Sequence, residues 1–248
     1  MPDGTKRFRR NSSEISHFFC QSSFAEYTVV SEQAAVRVSK HFPLEKLAPL
    51  GCGVETGAGA VLNTARVRPG ESVVVFGCGG VGLSAVMAAR LARAFPIIAV
   101  DVNEGRLALA RELGASETLP AVNTDVVREV RRLTRGGADY SFECLGKAET
   151  IRQSVDAIRV GGTAIITGGV TAGAEVKLDG IGLLFKDIRG NHQGGSVPDV
   201  FITLLVEMWS RGDLPFDRLV SRTYALEDIN QAITDMESGE VVKPLVRY

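Results

Sequence analysis

The sequence predicts an α/β protein that is built on a doubly wound, mostly parallel sheet. Two observations indicate this fold class: short apolar runs alternate with helical segments through the middle of the 248-residue chain, and glycines follow several of these runs. A strand, a helix and a second parallel strand form a right-handed crossover, and repeated crossovers place helices on both faces of one sheet. We therefore expect the carboxyl ends of the strands to line a single crevice.

The spacing of apolar residues gives the order of the elements in the middle of the chain. Predicted strands cover residues 73–76, 97–100, 117–119, 140–143 and 163–167. An alanine-rich helix follows the first of them, and further helices are predicted over 104–112, 125–134 and 149–158. Gly114 is a suitable C-terminal glycine for the helix that precedes it.

The two ends of the chain have a different pattern. Residues 24–30 and 35–38 are two short β-like runs with no helix between them. At the C-terminal end, the sequence predicts a helix over 198–210, a strand over 219–224, a helix over 226–238 and a strand over 241–246. We interpret both ends as parts of one β-rich lobe beside the sheet domain. The expected boundaries are 1–53 for a remnant of the lobe, 54–192 for the sheet domain and 193–248 for the return to the lobe.

The composition is that of an ordinary soluble globular protein. Apolar residues make up 45% and charged residues 23% of the chain, which excludes the disordered and fibrous classes. The net charge of −1 gives no general attraction for nucleic acid or anionic lipid, and no apolar run approaches the ~20 residues that cross a bilayer. We expect neither nucleic acid nor a membrane as a partner, and the cytoplasm as the compartment.

A basic cluster near the N-terminus resembles part of a transit peptide, but Asp3 and Glu14 accompany it. Transit peptides are poor in acidic residues, and the apolar residues that follow are too few for the core of a signal peptide. We therefore interpret the cluster as a solvated basic segment. Its members are Lys6, Arg7, Arg9 and Arg10.

The four cysteines are far apart in the sequence and form no C-x-x-C pair. This spacing argues against a disulfide scaffold and against a compact zinc knuckle. Free cysteines usually lie in the interior of a protein, so we interpret Cys20, Cys78 and Cys144 as small buried residues.

The most informative segment is a strand, a glycine turn, a helix and a second strand that ends at Asp101. In a G-x-G-x-x-G turn, the first glycine makes the tight turn, the second lets a pyrophosphate approach the backbone, and the third lets the helix pack on the strand. The N–H groups and the dipole at the helix N-terminus then bind the phosphates. The segment predicts a Rossmann dinucleotide site. Its expected cofactor contacts are Gly77, Gly79, Gly80, Val81 and Gly82.

Asp101 indicates which dinucleotide binds. A carboxylate at the tip of the second strand accepts both hydroxyls of the adenosine ribose and repels a 2′-phosphate, so we expect NAD rather than NADP. Methyltransferases also have a glycine-rich first turn, but an acidic residue usually precedes that turn, and here Phe76 stands in that position.

Two further strands bring residues to the same crevice. Leu145 follows the strand at 140–143, and Gly168 and Gly169 follow the strand at 163–167. Ligands of doubly wound sheets lie beyond the carboxyl ends of the strands. We therefore expect all three residues to contact the cofactor.

Several ordered motifs resemble the zinc-dependent medium-chain alcohol dehydrogenases. They are Phe24-Ala25-Glu26-Tyr27, Gly51-Cys52-Gly53-Val54-Glu55-Thr56-Gly57, the glycine turn at 77–82 and Val241-Val242-Lys243-Pro244. The chain looks most like the aryl- or benzyl-alcohol dehydrogenase branch. That likeness rests on Thr56-Gly57-Ala58-Gly59-Ala60-Val61 and Gly194-Gly195-Ser196-Val197-Pro198. The resemblance covers nearly the whole chain and implies a Rossmann domain with a partial, β-rich GroES-like lobe.

The resemblance implies an NAD-dependent dehydrogenase that transfers hydride between the cofactor and a primary, aromatic alcohol or its aldehyde. Family members hold a catalytic zinc with a cysteine, a histidine and a second cysteine, and the metal acts as a Lewis acid on the substrate oxygen. Cys52 matches the second cysteine ligand. Of the other matching positions, Thr56 lies near the nicotinamide in the family, Arg106 near the adenosine ribose and Lys243 near the pyrophosphate.

The remaining parts of the family's zinc site have no counterpart in this sequence. The first cysteine, the Gly-His-Glu segment, the proton-relay hydroxyl and the structural zinc lobe all precede the region that the chain matches. We therefore expect an N-terminally truncated member with an incomplete catalytic zinc site, and surface or hydrogen-bonded roles for His17, His41 and His192. Apolar surface that the missing lobe would cover predicts a homo-oligomer.

Two other functions stay open at this point. A non-catalytic NAD-binding module, either a truncated product or an accessory subunit, fits the same motifs without the metal lobe. A zinc-independent reductase of the same superfamily is disfavoured, because Cys52 would then have no reason to stand in Gly-Cys-Gly. Short-chain dehydrogenases need Tyr-x-x-x-Lys and α/β-hydrolases need Gly-x-Ser-x-Gly, and the sequence contains neither.

Overall fold

The computed structural model describes residues 4–6, 8–16 and 24–248 of the chain. Its strands are β1 (Phe8–Arg10), β2 (Ser13–Ile15), β3 (Val73–Phe76), β4 (Ile97–Asp101), β5 (Glu117–Pro120), β6 (Ala138–Glu143), β7 (Ile158–Ile166), β8 (Asp187–Gly190), β9 (Val220–Ala225) and β10 (Lys243–Arg247). Six of them form a parallel sheet in the order β5-β4-β3-β6-β7-β8. The chain starts this sheet in its centre and extends it to both sides, as a doubly wound fold does.

The helices are α1 (Leu44–Leu47), α2 (Glu55–Gly59), α3 (Gly80–Leu91), α4 (Glu104–Leu113), α5 (Val126–Leu133), α6 (Ala148–Ala157), α7 (Gly180–Leu183), α8 (Pro198–Ser210) and α9 (Ile229–Ser238). The α2 helix is the centre of a longer helical segment whose flanks, Leu50–Val54 and Ala60–Ala65, are wound as π-helix. Asn103 begins α4 and Asp125 begins α5, each through a side chain that accepts a backbone N–H of the first turn.

The predicted alternation of strands and helices is confirmed. All five predicted strands of the middle region lie in the parallel sheet, and α4, α5, α6 and α8 lie where helices were predicted. Gly114 ends α4 with a φ of +129°. The sequence analysis did not predict α7 or β8, because all four residues of β8 are exposed and give no apolar alternation.

The predicted strands at 24–30 and 35–38 are wrong. The backbone there is irregular apart from a short 3₁₀ turn at Glu32–Ala34, and Phe24 and Tyr27 are exposed. An alternating apolar pattern makes a strand only when a neighbouring strand pairs with its N–H and C=O groups, and no described strand lies beside this region. The residues at 18–23 of the same predicted region lie outside the described part of the chain.

The strands outside the large sheet form two separate pairs. The first pair, β1 and β2, is antiparallel, whereas β9 and β10 are parallel. The lobe boundaries at residues 53 and 192 stay a prediction. No helix among the described residues has both the length and the apolar character that crossing a bilayer requires.

Both faces of the parallel sheet are covered. Val73 and Val75 of β3 pack into one apolar cluster with residues of α3, α4 and α8, whereas Val74 and Phe76 pack into a second cluster with residues of α5 and α6. Successive side chains of a strand point to opposite faces, so a strand that is buried on both faces is a continuous apolar run. This is why Val73–Phe76 contains no polar residue.

A polar cluster at the amino ends of β3, β6 and β7 ties these strands together. Asp139 accepts the N–H and the hydroxyl of Ser72 at 2.7 and 2.6 Å and the Arg159 guanidinium at 2.7 Å. Burial acts to raise the pKa of Asp139, but the hydrogen bonds from Ser72 and Arg159 outweigh it and hold the pKa below its ordinary value. Because the cluster lies at the end of the sheet opposite the glycine turn, we assign it to stability alone.

We expect Asp139→Asn to lower the free energy of unfolding by about 1–2 kcal/mol, because it weakens charge-assisted hydrogen bonds. A depressed pKa adds stability above the ordinary value near 3.9, and this stability is lost as the pH falls through the folded-state pKa. The difference from wild type should therefore be present in full at pH 7, should begin to fall near pH 4, and should vanish only below the folded-state pKa. Thermal unfolding across this pH range measures it. Asp187→Asn, on the exposed Arg189 pair, is the matched control; an equal loss in both variants would contradict the assignment.

Candidate cofactor site

Gly77 makes the turn at the end of β3. Its φ is +91°, in the region that favours glycine, and its N–H donates to the Val100 carbonyl of β4 at 2.8 Å. A Cβ on Gly77 would lie 2.7 Å from the Leu145 side chain. The turn is therefore fixed between two strands, with Leu145 lying against it.

Gly82 is tightly packed, whereas Gly79 adjoins open space. A Cβ on Gly82 would overlap the Gly77 carbonyl oxygen and would lie 3.3 Å from the Val75 side chain, so α3 packs against β3 only with glycine there. Gly79 begins α3 and has no other described atom within 4 Å of its Cβ position. Open space therefore adjoins a helix N-terminus, where N–H groups lack intrahelical partners. Gly80 and Val81, the first residues of α3, are half-buried beside this space.

Asp101 ends β4 and is buried. One carboxylate oxygen accepts the Cys78 N–H at 2.6 Å, and the other accepts the Asn103 N–H at 2.9 Å. The side chain thus joins the glycine turn to the start of α4. A carboxylate has about four lone-pair positions, so these two bonds leave acceptor capacity for ligand hydroxyls.

Arg106, in the first turn of α4, extends to the C-terminal end of α9. Its Nη2 donates to the Met236 carbonyl at 3.4 Å, while its Nε is buried and has no hydrogen-bond partner in the described part of the chain. Asn103 donates its side-chain amide to the Gly239 carbonyl at 3.5 Å. A buried donor without a partner is uncommon in folded proteins, and an acceptor on a bound ligand would satisfy it.

Glu143 was not predicted from the sequence, although it organises the turn that contains Leu145. It is fully buried at the end of β6. Its carboxylate accepts the N–H groups of Leu145 and Gly146 at 3.0 and 2.9 Å and the Thr150 hydroxyl at 2.7 Å. The signal in the sequence is a carboxylate at the end of an apolar strand, directly before a predicted ligand-contacting turn.

The turns that follow β6 and β7 are in direct contact. Gly146 has a φ of +75°, and a Cβ there would overlap the Gly169 carbonyl; a Cβ on Gly168 would overlap the Gly146 nitrogen. Gly169, in contrast, has open space around its Cβ position. The structure therefore brings Leu145, Gly168 and Gly169 together at the carboxyl edge of the sheet.

Lys243 begins β10 and extends across the start of α3. Its Cε lies 2.8 Å from the Cβ position of Gly80 and 3.3 Å from that of Gly53. Its ammonium forms no salt bridge with any side chain of the described residues. The Lys243 ammonium and the positive end of the α3 dipole therefore lie close together, and a bound anion would stabilise this arrangement.

The helical segment around α2 packs on α3. A Cβ on Gly57 would overlap the Val81 carbonyl and would lie 2.8 Å from the Ser84 Cβ. Thr56 is nearly buried, and its carbonyl accepts the Asn191 side-chain amide at 3.4 Å. The adjacent Glu55 is buried and accepts the Ser196 hydroxyl at 2.7 Å, a contact that the sequence analysis did not predict.

The two motifs that resemble the aryl-alcohol branch meet in the structure. Gly59 and Gly194 are in backbone contact, since a Cβ on Gly194 would lie 2.9 Å from the Gly59 Cα. The Asn63 amide donates to the Gly194 carbonyl at 3.1 Å. Gly194 has a φ of +69°, which favours glycine at this contact.

The described residues do not fit a zinc ion. No three His, Cys, Asp or Glu side chains within residues 4–6, 8–16 and 24–248 lie close enough together to hold a metal. Cys52 is exposed, and so are His41 and His192, as predicted for surface histidines. A catalytic zinc needs three protein ligands, so Cys52 alone supplies no site. His17 lies outside the described residues.

The other cysteines have no features of metal ligands. Cys78 is buried, as predicted, and Cys144 is half-buried. Burial raises the pKa of both thiols above the ordinary value, and the nearby carboxylates of Asp101 and Glu143 raise them further. Thiols of this kind stay protonated, whereas metal ligands and nucleophiles are thiolates. The prediction for Cys20 lies outside the described residues.

Comparison with known proteins shows the family. A profile described as "Zinc-binding dehydrogenase" matches residues 80–210. An S-(hydroxymethyl)glutathione dehydrogenase from Synechocystis sp. is 37% identical over 252 residues, which cover 100% of this chain and 68% of that protein. The chain belongs to the zinc-dependent medium-chain alcohol dehydrogenase family.

Two solved structures support the assignment of this chain to the dehydrogenase family. An alcohol dehydrogenase zinc-binding domain protein from Burkholderia ambifaria has a TM-score of 0.89 and 48% identity, and covers 93% of this chain and 62% of its own. Benzyl alcohol dehydrogenase from Acinetobacter calcoaceticus has a TM-score of 0.90 and 42% identity, with 92% and 64% covered. The family member described here spans about two thirds of the length of these relatives.

We expect Gly79→Ala to keep the melting temperature and to weaken NADH binding by about tenfold or more. The added methyl group enters space that is empty in the free protein and that a phosphate would occupy in the complex. Gly82→Ala is the matched comparison: its methyl group overlaps the Gly77 carbonyl, so it should lower the melting temperature instead. Fluorescence titration with NADH and thermal unfolding measure the two effects. An unchanged dissociation constant for Gly79→Ala would contradict the assignment of this space.

Proposed function

We propose that the chain binds NAD and serves as an alcohol dehydrogenase, moving hydride between the cofactor and the carbinol carbon of a primary, aromatic alcohol. The observation that carries the proposal is the open space at Gly79, beside the N-terminus of α3 and the Lys243 side chain. Backbone donors, a helix dipole and one cation converge there, which suits a pyrophosphate. Asp101 and Arg106 lie on the side where the adenosine ribose would follow.

Several features of the crevice support this cofactor. The lone pairs that Asp101 keeps after bonding to Cys78 and Asn103 suit two ribose hydroxyls, and its charge disfavours a 2′-phosphate. The open space at Gly169 suits a flat ring, and the resemblance assigns the nicotinamide to the region of Thr56. When bound, NAD supplies the hydride chemistry, and the protein supplies orientation.

The substrate class follows from the branch that the chain resembles. The Thr56–Val61 and Gly194–Pro198 motifs are in contact through Gly59 and Gly194, which supports interpreting them together. Two of the three relatives named above are dehydrogenases of benzyl alcohol and of S-(hydroxymethyl)glutathione, which are both primary alcohols. An aromatic or otherwise activated primary alcohol is therefore the proposed substrate.

A second function is favoured by the surroundings of Cys52. This cysteine is exposed, and the described residues give it no companion ligands. A chain that binds NAD without activating an alcohol, as an accessory module, fits this observation. Turnover of benzyl alcohol with stoichiometric zinc, lost in Cys52→Ser, favours the enzyme; NADH binding without zinc or turnover favours the module.

The test of NAD binding uses Asp101. We expect the wild-type chain to bind NADH more tightly than NADPH, and Asp101→Ser to reduce that preference by about tenfold, because the carboxylate no longer repels the 2′-phosphate. Fluorescence titration with both cofactors gives the ratio. A general loss of folding lowers both affinities together, so the ratio isolates the role of the carboxylate.

Asp125→Ser is the control for this test. Asp125 begins α5, where its side chain accepts the Arg128 N–H of the same helix at 3.1 Å. Its ratio of affinities should equal that of the wild type. A wild-type chain that binds neither cofactor, or an Asp101→Ser chain with an unaltered ratio, would refute the ribose assignment.

We also propose that the chain forms a homo-oligomer through β8 in the cytoplasm. As the edge of the large sheet, β8 has a side without a described partner strand. Ile181, Leu184, Phe185 and Ile188 are exposed on β8 and the segment before it. Exposed apolar edges of this kind pair with another chain unless they are protected.

Sedimentation velocity tests the oligomer. We expect a dimer or larger species for the wild type and a shift towards the monomer for Ile188→Lys, because a charge on an edge strand blocks pairing. Val122→Lys places the same charge after β5, at the opposite edge of the sheet, and should leave the distribution unchanged. A monodisperse monomer for the wild type would refute the proposal.

A further inference from the structure

A buried carboxylate lies in the C-terminal part of the chain, outside the crevice. Asp235 of α9 accepts the Arg222 guanidinium and the Tyr224 hydroxyl on Oδ2, each at 2.6 Å, and the Gln231 amide on Oδ1 at 2.6 Å. Arg222 and Tyr224 belong to β9. The carboxylate therefore joins the helix to the strand.

The bonds to Asp235 are those of a charged group. Its side chain is only 6% exposed. The Tyr224 hydroxyl, followed by the Gln231 amide and Arg222, holds the pKa of Asp235 below its ordinary value. Asp235 is thus ionised at neutral pH, and its hydrogen bonds are the short, charge-assisted kind.

The network continues into the turn between α9 and β10. Arg222 donates its second nitrogen, Nη2, to Glu240 at 2.7 Å. The Val241 N–H donates to the Asp235 carbonyl at 3.1 Å. The turn is therefore held from both of its sides, by the side chain of Arg222 and by the backbone of Asp235.

Apart from Val242, which packs against the large apolar cluster that includes α3, this part of the chain has little apolar support. Its buried cluster consists of Tyr224, Ala232 and Val241, and its sheet has only two described strands. Two strands alone are marginally stable in water. The polar network therefore adds a further restraint on where β10 lies, beside the β9–β10 pairing and the Val242 contact.

The residue that β10 presents to the crevice is Lys243, three positions after Glu240. In the β9–β10 pair, Lys243 lies opposite Val220, and the next residue, Pro244, lies opposite Arg222. The strand that carries Lys243 is thus paired with the strand that carries the network's guanidinium. A shift of β10 would move the Lys243 ammonium away from Gly53 and Gly80.

The end of α9 is joined to the crevice at a second place. Its Met236 and Gly239 carbonyls accept Arg106 and Asn103 of the α4 region. The unit of α9 and β10 therefore lies against both ends of the proposed pyrophosphate and ribose site. These two bonds are long, at 3.4 and 3.5 Å, so they do not fix the unit by themselves.

We propose that Asp235, acting through Arg222 and Glu240, is a positioning residue that places Lys243 on the pyrophosphate of the cofactor. The proposal rests on the NAD binding proposed above. Lys243 lies beside the positive end of the α3 dipole, where a free cation is not favoured. A fixed β10 keeps it there before the anion arrives, and this raises affinity because less order must be created on binding.

A double-mutant cycle tests the proposal on the full chain. NADH dissociation constants are measured for wild type, Asp235→Asn, Lys243→Met and the double variant. We expect each single variant to bind about fivefold to tenfold more weakly, on the scale of one lost charge-assisted contact. The double variant should bind no more weakly than Lys243→Met, because Asp235 acts through Lys243.

The dependence of NADH binding on salt gives a readout that a purely structural defect does not change. Salt screens a contact between lysine and phosphate, so the wild-type affinity should fall with ionic strength. Lys243→Met and Asp235→Asn should both show the same, shallower dependence. Glu207→Gln, which removes an exposed charge from the Arg211 pair on α8, is the control and should match the wild type.

Glu240→Gln gives a milder version of the same test. It removes the exposed arm of the network and leaves the buried carboxylate in place, so the chain should fold even if Asp235→Asn does not. It should weaken NADH binding in the wild-type background and have no further effect in the Lys243→Met background.

The outcomes separate the two proposals. Losses that multiply in the double variant, together with a wild-type salt dependence in Asp235→Asn or Glu240→Gln, would overturn the positioning role and leave NAD binding intact. A wild-type chain that does not bind NADH would overturn both.

Discussion

The crevice depends on one close approach between α3 and β3. Gly82 lies against the Gly77 carbonyl at a separation that leaves no room for a side chain. Because the helix comes this close, its N-terminus lies directly beyond the end of the central strand and leaves the space at Gly79 open. Asp101 binds the N–H of Cys78 within this turn, and Lys243 crosses the first turn of α3. Moving the helix outward would displace all of these contacts together.

The parallel order of the sheet explains why residues far apart in sequence share the crevice. The turns after β3, β4, β6 and β7 leave the same edge, and the glycines at 146 and 168 bring two of these turns into backbone contact. Buried carboxylates then fix the turns: Asp101 on one side of β3 and Glu143 on the other. Each accepts backbone N–H groups that the turns would otherwise leave unpaired.

Local patterns were enough to predict five of the six strands of the parallel sheet, the helices between those strands and the glycine turn. A strand that is buried on both faces, such as β3, must be continuously apolar, and a turn such as that of Gly77 needs glycine, so both features are visible in the sequence. The β-like run at 24–30 was misleading, because an apolar pattern is a local property whereas a strand also needs a partner strand from elsewhere in the chain. The exposed β8 gives no pattern at all.

Side-chain networks could not be predicted, because they depend on elements that meet only in the folded chain. Nothing in the sequence joins Arg222 to Asp235, or Glu55 to Ser196, since each pair is brought together by helix and strand packing. The zinc site is the opposite case, because the sequence predicted a ligand there and the structure does not assemble a site around it. Cys52 matches a family ligand in sequence, but a metal site requires several ligands at one point, and the described residues do not provide them.

Hydrogen–deuterium exchange with and without NADH tests the central claim most directly. The account predicts slower exchange on binding at the backbone amides of 77–82, where the helix N-terminus and the glycine turn meet the phosphates. Smaller protection should appear at 101–106, 145–146, 168–169 and 239–243. Bound NADH that leaves the amides of 77–82 exchanging as fast as in the free chain would contradict the account.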